Sequence, residues 1–519
     1  MPAIDSYFIT TPIYYVNDVP HLGHAYTTIA CDALARFMRL DGKKVLFLTG
    51  TDEHGQKVEK SAQAAGQSPA DFTNQVSQRF RDLTAKFEIS NDDFIRTTEQ
   101  RHIEAAQAIW TALVKSGDIY LGSYSGWYSV RDEAFFSEVE LTDGGVGERL
   151  APSGAPVEWV EEPSYFFRLS RWQKPLIKFY EENANFILPQ SRRNEVVSFV
   201  SGGLQDLSVS RTSFKWGVPV PENEDHIMYV WLDALTNYLT ATGYPDLKSN
   251  VFKTFWPTAL HVVGKDILRF HAVYWPAFLM SAGIVPPSRV FAHGWWTVEG
   301  EKMSKSIQNV VEPFNLVDVF GLDQVRYFLL REVPFGNDGD FSKTALIHRI
   351  NSDLSNDLGN LVQRVLSMIH RNCDAEIPVP ASFSDDDQIL LSQVDDLLQQ
   401  VRDSMKQQAC HDALEKIWAV IRTSNIYVDH EAPWALKKTD PIRMNTVLYT
   451  LAESLRNIAI LIQPFMPNAG GKMLNQLGVP AGFRTFSSLG ANKRILAGQA
   501  IPKPVGVFPR FVADEFSDG

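Results

Sequence analysis

Cysteine is scarce in this 519-residue chain, and long apolar runs are absent. Its only cysteines, Cys31, Cys373 and Cys410, lie far apart and lack the CxxC spacing of metal and redox motifs. No apolar run approaches the roughly 18 residues that a membrane span needs. The N-terminus has no basic segment followed by an apolar one, as a secretory signal would. We therefore expect a protein of the reducing cytoplasm with no membrane association.

An excess of positive charge is also missing. The formal net charge of −12 argues against wholesale nonspecific binding of nucleic acid, whose phosphates favour basic partners. A local basic track remains compatible with this charge, since Arg349, Arg364 and Arg371 recur near helical spacing. A solvated helix face explains the same arginines equally well. The length and the 45% hydrophobic content predict a globular protein of about three domains.

Two short segments carry most of the chemistry. His21-Leu22-Gly23-His24 follows an apolar, β-prone run, residues 7–15, and opens a helix-like stretch, residues 25–40. This is the strand-to-helix turn at which phosphates bind in open α/β sheets. Far downstream lies Lys302-Met303-Ser304-Lys305-Ser306. Either segment alone is compatible with surface histidines or a solvated basic loop. Together they predict a site for attack on the α-phosphate of ATP.

The residue types of the two segments indicate a role for each. His21 and His24 donate hydrogen bonds to phosphate oxygens, and Gly23 allows a close approach. Lys302 and Lys305 follow the negative charge that develops on a leaving pyrophosphate. These two histidines and two lysines are our candidate catalytic residues.

Both segments resemble the signatures of the class I aminoacyl-tRNA synthetases, written HIGH and KMSKS. More narrowly the chain resembles the methionyl branch of that family, in segments that run from the N-terminus to beyond residue 460: 11–17, 49–55, 229–234, 264–267, 270–271, 360–364 and 432–434. The resemblance implies activation of L-methionine with ATP and Mg²⁺ to methionyl-adenylate and pyrophosphate. Transfer of methionine to the 3′-terminal adenosine of tRNA(Met) would follow.

The resemblance also implies the fold class. We expect an α/β doubly wound, parallel-sheet (Rossmann-type) catalytic domain with an inserted connective domain, followed by an all-α helical-bundle anticodon-binding domain. The changes in sequence texture place the boundaries as follows: the first half of the catalytic domain at 1–115, the insertion at 116–225, the second half at 226–300, the lysine loop and stem-contact region at 301–345, the helical domain at 346–465, and a tail packing back on the body at 466–519.

Local patterns supply the elements. The α/β rhythm resumes after the insertion with β-prone runs at 227–232 and 260–264 and a helix at 266–280. Beyond about residue 345 strand signals almost vanish, and long amphipathic patterns dominate at 351–369, 385–427 and 441–462.

For methionine, the family positions imply one carboxylate and an aromatic pocket. Asp52, just after a β-prone run, would take the substrate ammonium with help from the backbone of Ile13; the alternative is a helix N-cap. A polarizable thioether suits aromatic surroundings. The matching pocket positions are Tyr15, Trp231, Ala234, Tyr238, Phe270, His271 and Trp275. Taken singly, each aromatic could equally be core packing.

For ATP and tRNA the assignments again come from the resemblance. It implies that Gly264 and Asp266 contact the nucleotide, with Asp266 on the ribose, and that His293 and Val298 flank the adenine. No general base is expected, because a carboxylate nucleophile needs none. The anticodon readers would be Asn360, Arg364 and Trp434, with Trp434 stacking on a base. From spacing alone, an ordinary helix pair and a boundary tryptophan are the stronger interpretation.

The insertion departs from the family. Many methionyl enzymes hold this region around zinc with cysteines, yet no cysteine occurs between Cys31 and Cys373, so no thiolate site can form there. His226 alone near its edge does not compensate. We expect no structural zinc and no metal ligand among the side chains, and an insertion held by aromatic packing through Tyr120, Tyr124, Trp127, Tyr128, Phe135, Phe136 and Trp159.

Three other classes of protein fit the sequence less well. A leucine, isoleucine or valine synthetase usually carries an editing insertion longer than the about 110 residues present here. A small-molecule nucleotidyltransferase would have little use for a helical domain of this size. A noncatalytic RNA-binding relative would be expected to have lost the histidines and lysines that this chain retains. The chain stops soon after the helical domain, without an appended dimerisation module, so we expect a monomer.

Overall fold

The computed structural model describes residues 5–16, 19–132, 134–145, 148–298, 300–302 and 311–512. The chain forms two compact units. The first comprises Met1–Pro20 with Val45–His293, and the second comprises His21–Lys44 with Gly294–Gly519. The helix that follows the histidine motif thus belongs to the second unit.

A seven-stranded sheet forms the framework of the first unit. Its strands are, in spatial order, Ile187–Leu188, Arg289–His293, Ala259–Gly264, Ser6–Thr10 and Lys44–Asp52, with Tyr14–Tyr15 and Asp93–Arg96 both pairing with the last of these. The pairings of Ala259–Gly264 with both of its neighbours are parallel. This strand is apolar along most of its length, as expected for a strand that is covered on both faces. The expected parallel-sheet architecture is confirmed.

Helices and short 3-10 turns make up much of the rest of the first unit. The helices are Gln56–Ala64, Pro69–Lys86, Gln100–Lys115, Gln173–Glu182, Gln190–Ser201, Val230–Leu235, Asn237–Thr240, Asn250–Phe255 and Trp275–Ser281. A π-helical turn, Phe270–Tyr274, precedes the last of them, and 3-10 turns occupy Glu138–Glu140, Leu169–Trp172, Trp256–Thr258 and Lys265–Ile267. Phe8, Ile109 and Val263 lie in the fully buried core between sheet and helices.

The inserted region is built from antiparallel strands. Ile119–Ser129 pairs with Glu158–Phe167, flanked by Ala134–Phe136 and Leu207–Ser208, and a separate hairpin joins Thr142–Gly145 to Glu148–Leu150. Aromatic packing contributes here as expected, since Tyr128 is buried and Trp127 meets Trp159 edge to face at 5.4 Å. Trp159 nevertheless stays 55% exposed, so it covers Trp127 rather than entering a core.

One β-prone run ends earlier than its sequence predicts. The run 227–232 was expected to be strand, but the strand Asn223–Met228 gives way to the helix Val230–Leu235. The strand also lies outside the parallel sheet, in a small antiparallel sheet with Ser210–Arg211 and Pro219–Val220. Tyr229, Val230 and Trp231 have high β-propensity, but burial of the helix decides the local structure.

The second unit is mostly helical. Its helices are Leu22–Leu40, Pro313–Phe320, Leu322–Arg331, Lys343–Arg349, Asn360–Asn372, Asp385–Lys406, Cys410–Glu431, Pro433–Thr439, Pro441–Ile462 and Pro467–Gln476, with a π-helical segment at Ile350–Gly359 and 3-10 turns at Ala481–Phe483 and Phe486–Ser488. A small sheet joins Trp296–Val298 to Glu301–Lys302 and Gly339–Phe341. Within the described residues beyond 345, only an isolated pairing of Glu376 with Ala500 is β-like. The all-α second domain is confirmed.

The amphipathic stretch 385–427 is two helices rather than one. The first helix ends at Lys406 and the next begins at Cys410, with Gln408 at a positive φ of 57° between them. No glycine or proline marks this break. The apolar pattern continues across it because the two helices pack against each other in the same bundle.

A buried ion pair anchors the first helix of the second unit. Asp32, from Leu22–Leu40, accepts a hydrogen bond from Arg326 at 2.7 Å, and neither side chain reaches solvent. Arg326 also donates to the carbonyl oxygens of Pro464 and Phe465. Near the end of the described residues, Phe511 exchanges two hydrogen bonds with Asn351 of the same unit. None of the described helices combines the length and apolar character that a bilayer crossing requires.

Candidate functional site

The candidate ammonium ligand lies where one strand of the parallel sheet ends. Asp52 is the last residue of Lys44–Asp52 and is 7% exposed. Tyr15 pairs with it in parallel register, and the Val16 amide donates to the Asp52 carbonyl at 3.1 Å. Asp52 is not a helix N-cap, because the next helix begins at Gln56 after Gly55. Strand pairing therefore brings Tyr15 and Asp52 together, with Ile13 in the turn just before.

The aromatic candidates form one cluster in the first unit. Trp231 and Phe270 stack face to face with ring centroids 3.6 Å apart, and His271 meets Trp231 edge on. Ile13 and Tyr15 pack against the same core as Trp231 and Phe270. The contacts are apolar or aromatic, which is the environment that a thioether prefers.

A second layer of the cluster is closed to solvent. Tyr238 and Trp275 are 1% and 0% exposed, and their rings lie 6.4 Å apart. Ala234, one turn before Tyr238, is 5% exposed. These three residues are buried and do not face open water.

Hydrogen bonds fix the state of His271. Its Nδ1 lies 3.0 Å from the carbonyl oxygen of Ile267 and must donate, so Nε2 accepts from the Tyr238 hydroxyl at 2.8 Å. Burial lowers the pKa of His271 to about 4. His271 is therefore neutral at physiological pH, and the aromatic cluster carries no charge at this position.

Two nucleotide candidates in the first unit are neighbours through the sheet. Gly264 and His293 pair in register at the ends of adjacent parallel strands. This edge is where open α/β sheets bind ligands. A Cβ on Gly264 would lie 2.5 Å from Oδ1 of Asp266, so only glycine leaves room for this carboxylate to turn back over the strand end.

In the second unit, the histidine motif caps its own helix. His21 is the N-cap of Leu22–Leu40, and its Nδ1 accepts from the Gly23 amide at 3.1 Å. Its own amide donates in turn to Nδ1 of His24 at 3.1 Å, and the two rings stack at 3.8 Å. A Cβ on Gly23 would lie 2.9 Å from the His21 ring, so glycine leaves room for this ring in its capping position.

These caps determine the tautomers of both rings. Because Nδ1 accepts in each case, Nε2 carries the proton when the ring is neutral, and it is a hydrogen-bond donor. Burial and the nearby His21 lower the pKa of His24 well below its usual value. At His24 the motif therefore places a neutral N–H donor near a helix N-terminus, where the helix dipole also favours an anion.

The lysine motif is described only in part. Val298 ends the strand Trp296–Val298 and pairs with Glu301, while the backbone of Lys302 pairs with Thr297. Lys305 lies outside the described residues, which resume at 311. The structure therefore brings Val298 and the start of the motif together.

The three anticodon candidates belong to one face of the helical unit. Asn360 begins the helix Asn360–Asn372 and is exposed, and Arg364 follows one turn later. The Arg364 guanidinium lies 5.8 Å from the Trp434 ring centroid and contacts Asp429 at 3.0 Å. Trp434 is 48% exposed, so it is not a core residue.

The other predicted features have ordinary structural partners. Arg349 pairs with Glu332 and Asp353, and Arg371 bonds the carbonyl of Ser367, so these arginines are engaged by their own unit. His226 lies 2.9 Å from the Ser210 hydroxyl. Its ring also meets the Tyr165 ring edge on at 4.9 Å.

Sequence reasoning missed the residues that support Asp52. Glu53, fully buried, receives two hydrogen bonds from Arg96, at 2.7 and 2.9 Å. His54 contacts Asp233, which also contacts His102. Ionisable residues inside otherwise apolar segments were the one sign of this cluster in the sequence. The sequence spacing does not indicate that positions 54, 102 and 233 are in contact.

Comparison with known proteins extends over nearly the whole chain. Residues 7–145 and 148–366 match the family model described as tRNA synthetases class I (M), and residues 377–518 match the anticodon binding domain of methionyl tRNA ligase. The methionine–tRNA ligases of Rhizobium meliloti and Rickettsia felis are each 56% identical to it, with 98% of this chain and 99% of the relative covered.

A solved structure gives the same result. The Mycobacterium tuberculosis methionyl-tRNA synthetase in complex with methionyl-adenylate superposes with a TM-score of 0.95 at 53% identity, covering 98% of this chain and 100% of that one. The free form of the same enzyme superposes with a TM-score of 0.89 at 50% identity.

The neutral state of His271 predicts a pH dependence of stability. In the unfolded chain its pKa returns to about 6.5, while in the folded protein it is about 4. The unfolded state thus binds the proton first as the pH falls, and the stability that is complete above pH 6.5 is lost down to about pH 4. We expect His271→Gln, which keeps a partner for Tyr238, to reduce this loss by about 3 kcal/mol. Urea unfolding of both proteins between pH 4 and pH 6.5 measures this difference. If the free energy of unfolding falls equally in both proteins, His271 is not the group responsible.

Proposed function

We propose a two-step reaction and a set of residue roles for this chain, which belongs to the methionyl-tRNA synthetase family of class I aminoacyl-tRNA synthetases. The protein is an ATP-dependent ligase for methionine and its tRNA. The first step joins methionine and ATP to methionyl-adenylate and releases pyrophosphate. The second transfers the methionyl group to the 3′-terminal adenosine of tRNA(Met).

One observation carries the choice of amino acid: Asp52 ends a strand beside Tyr15, and both belong to the unit that holds the neutral aromatic cluster. Asp52 binds the methionine ammonium, assisted by the backbone of Ile13. Tyr15, Trp231, Phe270 and the remaining pocket residues, Ala234, Tyr238, His271 and Trp275, receive the side chain. The methionine carboxylate then attacks the α-phosphate of ATP directly, because it is already ionised and needs no base.

The nucleotide is handled by donors rather than by proton transfer. ATP enters as its Mg²⁺ complex. His21 and His24 donate from Nε2 to phosphate oxygens, which the caps on Nδ1 make possible. Gly264 and Asp266 hold the ribose, and His293 and Val298 flank the base. Lys302 and Lys305 stabilise the charge that grows on pyrophosphate as the phosphorus–oxygen bond breaks.

Recognition of tRNA uses the helical unit. The exposed ring of Trp434 is a stacking surface for an unstacked anticodon base, and the adjacent Arg364 guanidinium adds a planar donor. Asn360, one helical turn away, supplies an amide for a base edge. The monomeric state and the cytoplasmic location remain predictions.

A synthetase for another apolar amino acid is the nearest alternative. Amino-acid-dependent pyrophosphate exchange, measured across the twenty amino acids, separates the two. Methionine should support the reaction with a kcat/KM far above that of leucine, isoleucine or valine. A preference for any of those three, or no exchange with any amino acid, would refute the proposal.

Lys305→Ala tests the transition-state role of the lysine motif. We expect the rate of adenylate formation to fall on the order of 10²-fold or more, with the methionine KM nearly unchanged, because the contact matters mainly as charge develops. Steady-state methionine-dependent pyrophosphate exchange measures both. Lys343→Ala, an exposed lysine of the same unit, is the control. An unchanged rate in the Lys305 variant would remove this residue from the mechanism.

Trp434→Ala tests the anticodon surface. We expect kcat/KM for tRNA charging to fall by a factor that corresponds to about 1–3 kcal/mol, the contribution of one stacked base. Methionine-dependent pyrophosphate exchange should be unchanged. Phe483→Ala is a matched control, since this aromatic is also exposed, at 62%, in the same unit. An equal fall in exchange would show that Trp434 maintains the fold instead.

The absence of cysteine from the insertion predicts that zinc is not required. Cys31 and Cys373 bracket a long stretch with no thiolate ligand. We expect the purified enzyme to contain far less than one zinc per chain and to keep its pyrophosphate-exchange activity after dialysis against a zinc chelator. Elemental analysis of the purified protein and activity with and without added zinc check this. Stoichiometric zinc, or activity restored only by zinc, would contradict the prediction.

A further inference from the structure

A buried carboxylate lies between two imidazoles in the first unit. Asp233 Oδ2 is 2.7 Å from Nδ1 of His54, and Asp233 Oδ1 is 2.7 Å from Nε2 of His102. Asp233 and His102 are 0% exposed and His54 is 5% exposed. We call these three residues the Asp233 cluster. Both carboxylate oxygens therefore have a ring donor.

The cluster joins three segments that are distant in sequence. His54 lies two residues beyond Asp52, in the turn after its strand. Asp233 lies on the short helix Val230–Leu235, which also carries Trp231 and Ala234. The hydrogen bond between His54 and Asp233 thus connects the proposed ammonium ligand to the helix that bears part of the proposed side-chain pocket.

The ionised form of Asp233 makes this connection directional. Burial alone would raise the pKa of Asp233, but the charge and hydrogen bonds of His54 and His102 lower it to about 2. Charge-assisted hydrogen bonds are short and have strict geometry. A buried charged group contributes little net stability compared with apolar packing, because its desolvation is costly. Such a group can instead fix the relative positions of the segments that it joins.

The other side of the Asp52 turn is held separately. Glu53 accepts from Arg96, Thr51 and Thr98, and the Trp216 indole donates to the Glu53 carbonyl at 2.6 Å. These contacts anchor the turn to the sheet but do not reach the helix Val230–Leu235. The hydrogen bond between His54 and Asp233 makes that link.

We propose that Asp233 is a positioning residue for methionine: through His54 it sets the Asp52 carboxylate at a fixed distance from the pocket residues of its own helix. The proposal rests on the proposed function, which assigns Asp52 and Trp231 to methionine. Neither His54 nor Asp233 touches the substrate in this scheme. Loss of the link weakens methionine binding in the ground state and the transition state alike.

Two substitutions of His54 test the role of its Nδ1 donor. His54 uses Nδ1, and an asparagine side chain places its amide nitrogen near that position, whereas alanine removes the donor. We expect His54→Ala to raise the methionine KM in pyrophosphate exchange on the order of 10-fold or more, since small misplacements of binding groups have large effects. The ATP KM and kcat should change little. His54→Asn should recover most of the methionine affinity.

Asp233→Asn completes a double-mutant cycle with His54→Ala. If the two residues act as one link, the double variant should raise the methionine KM no more than the stronger single variant does. Asp387→Asn is the control for losing a buried carboxylate, because Asp387 is held by Arg443 and Tyr427 in the helical unit. It should leave the methionine KM unchanged.

The outcomes are separable. A methionine KM within twofold of the parent in His54→Ala would overturn the proposal, as would equal rises in the methionine and ATP KM values or a failure of His54→Asn to recover affinity. If Asp233→Asn does not fold, the alanine and asparagine variants at position 54 still decide. If the unaltered protein shows no methionine-dependent exchange, the proposed function fails instead, and this result is visible before any variant is made.

Discussion

The pairing of strands at one edge of the parallel sheet is the constraint on which the first unit depends. Side chains at positions 15 and 52 become neighbours only because Tyr14–Tyr15 runs in register with the end of Lys44–Asp52, and positions 264 and 293 only because their strands end together. Parallel strands all point the same way, so their carboxyl ends meet at one edge. A shift of register by one residue would turn Asp52 to the opposite face of the sheet.

Much of this arrangement could be predicted from sequence because it is local or periodic. The helix after His21, the strand before Asp52 and the helical second domain follow from apolar spacing, whereas the candidate site residues were assigned from resemblance to family segments. The failures were of two kinds. The helix at Val230 and the break at Gln408 lack glycine or proline signals, and tertiary packing overrides the local preference there. The contact of Asp233 with His54 and His102 joins positions more than a hundred residues apart, which no single-sequence pattern encodes.

Neutral histidines recur in both units, and the physical reason differs. In the helix cap, backbone amides donate to Nδ1 of His21 and His24, so Nε2 is the donor nitrogen of each ring, and burial keeps His24 neutral. In the aromatic cluster, burial keeps His271 neutral, and both of its nitrogens are used internally. The first arrangement suits an anionic ligand that is also attracted by the helix N-terminus. The second suits an apolar side chain, for which a charged neighbour would be a desolvation cost.

The different state of Asp233 follows from the same reasoning. A carboxylate in the interior remains ionised only where donors surround it, and here each oxygen has one. Had the purpose been stability alone, an apolar residue of similar volume would have served as well or better. Stability alone therefore does not account for this charge. In the proposed scheme the Asp52 carboxylate meets an ammonium group, so its distance from the pocket must be fixed, and the directional hydrogen bond between His54 and Asp233 provides such a restraint.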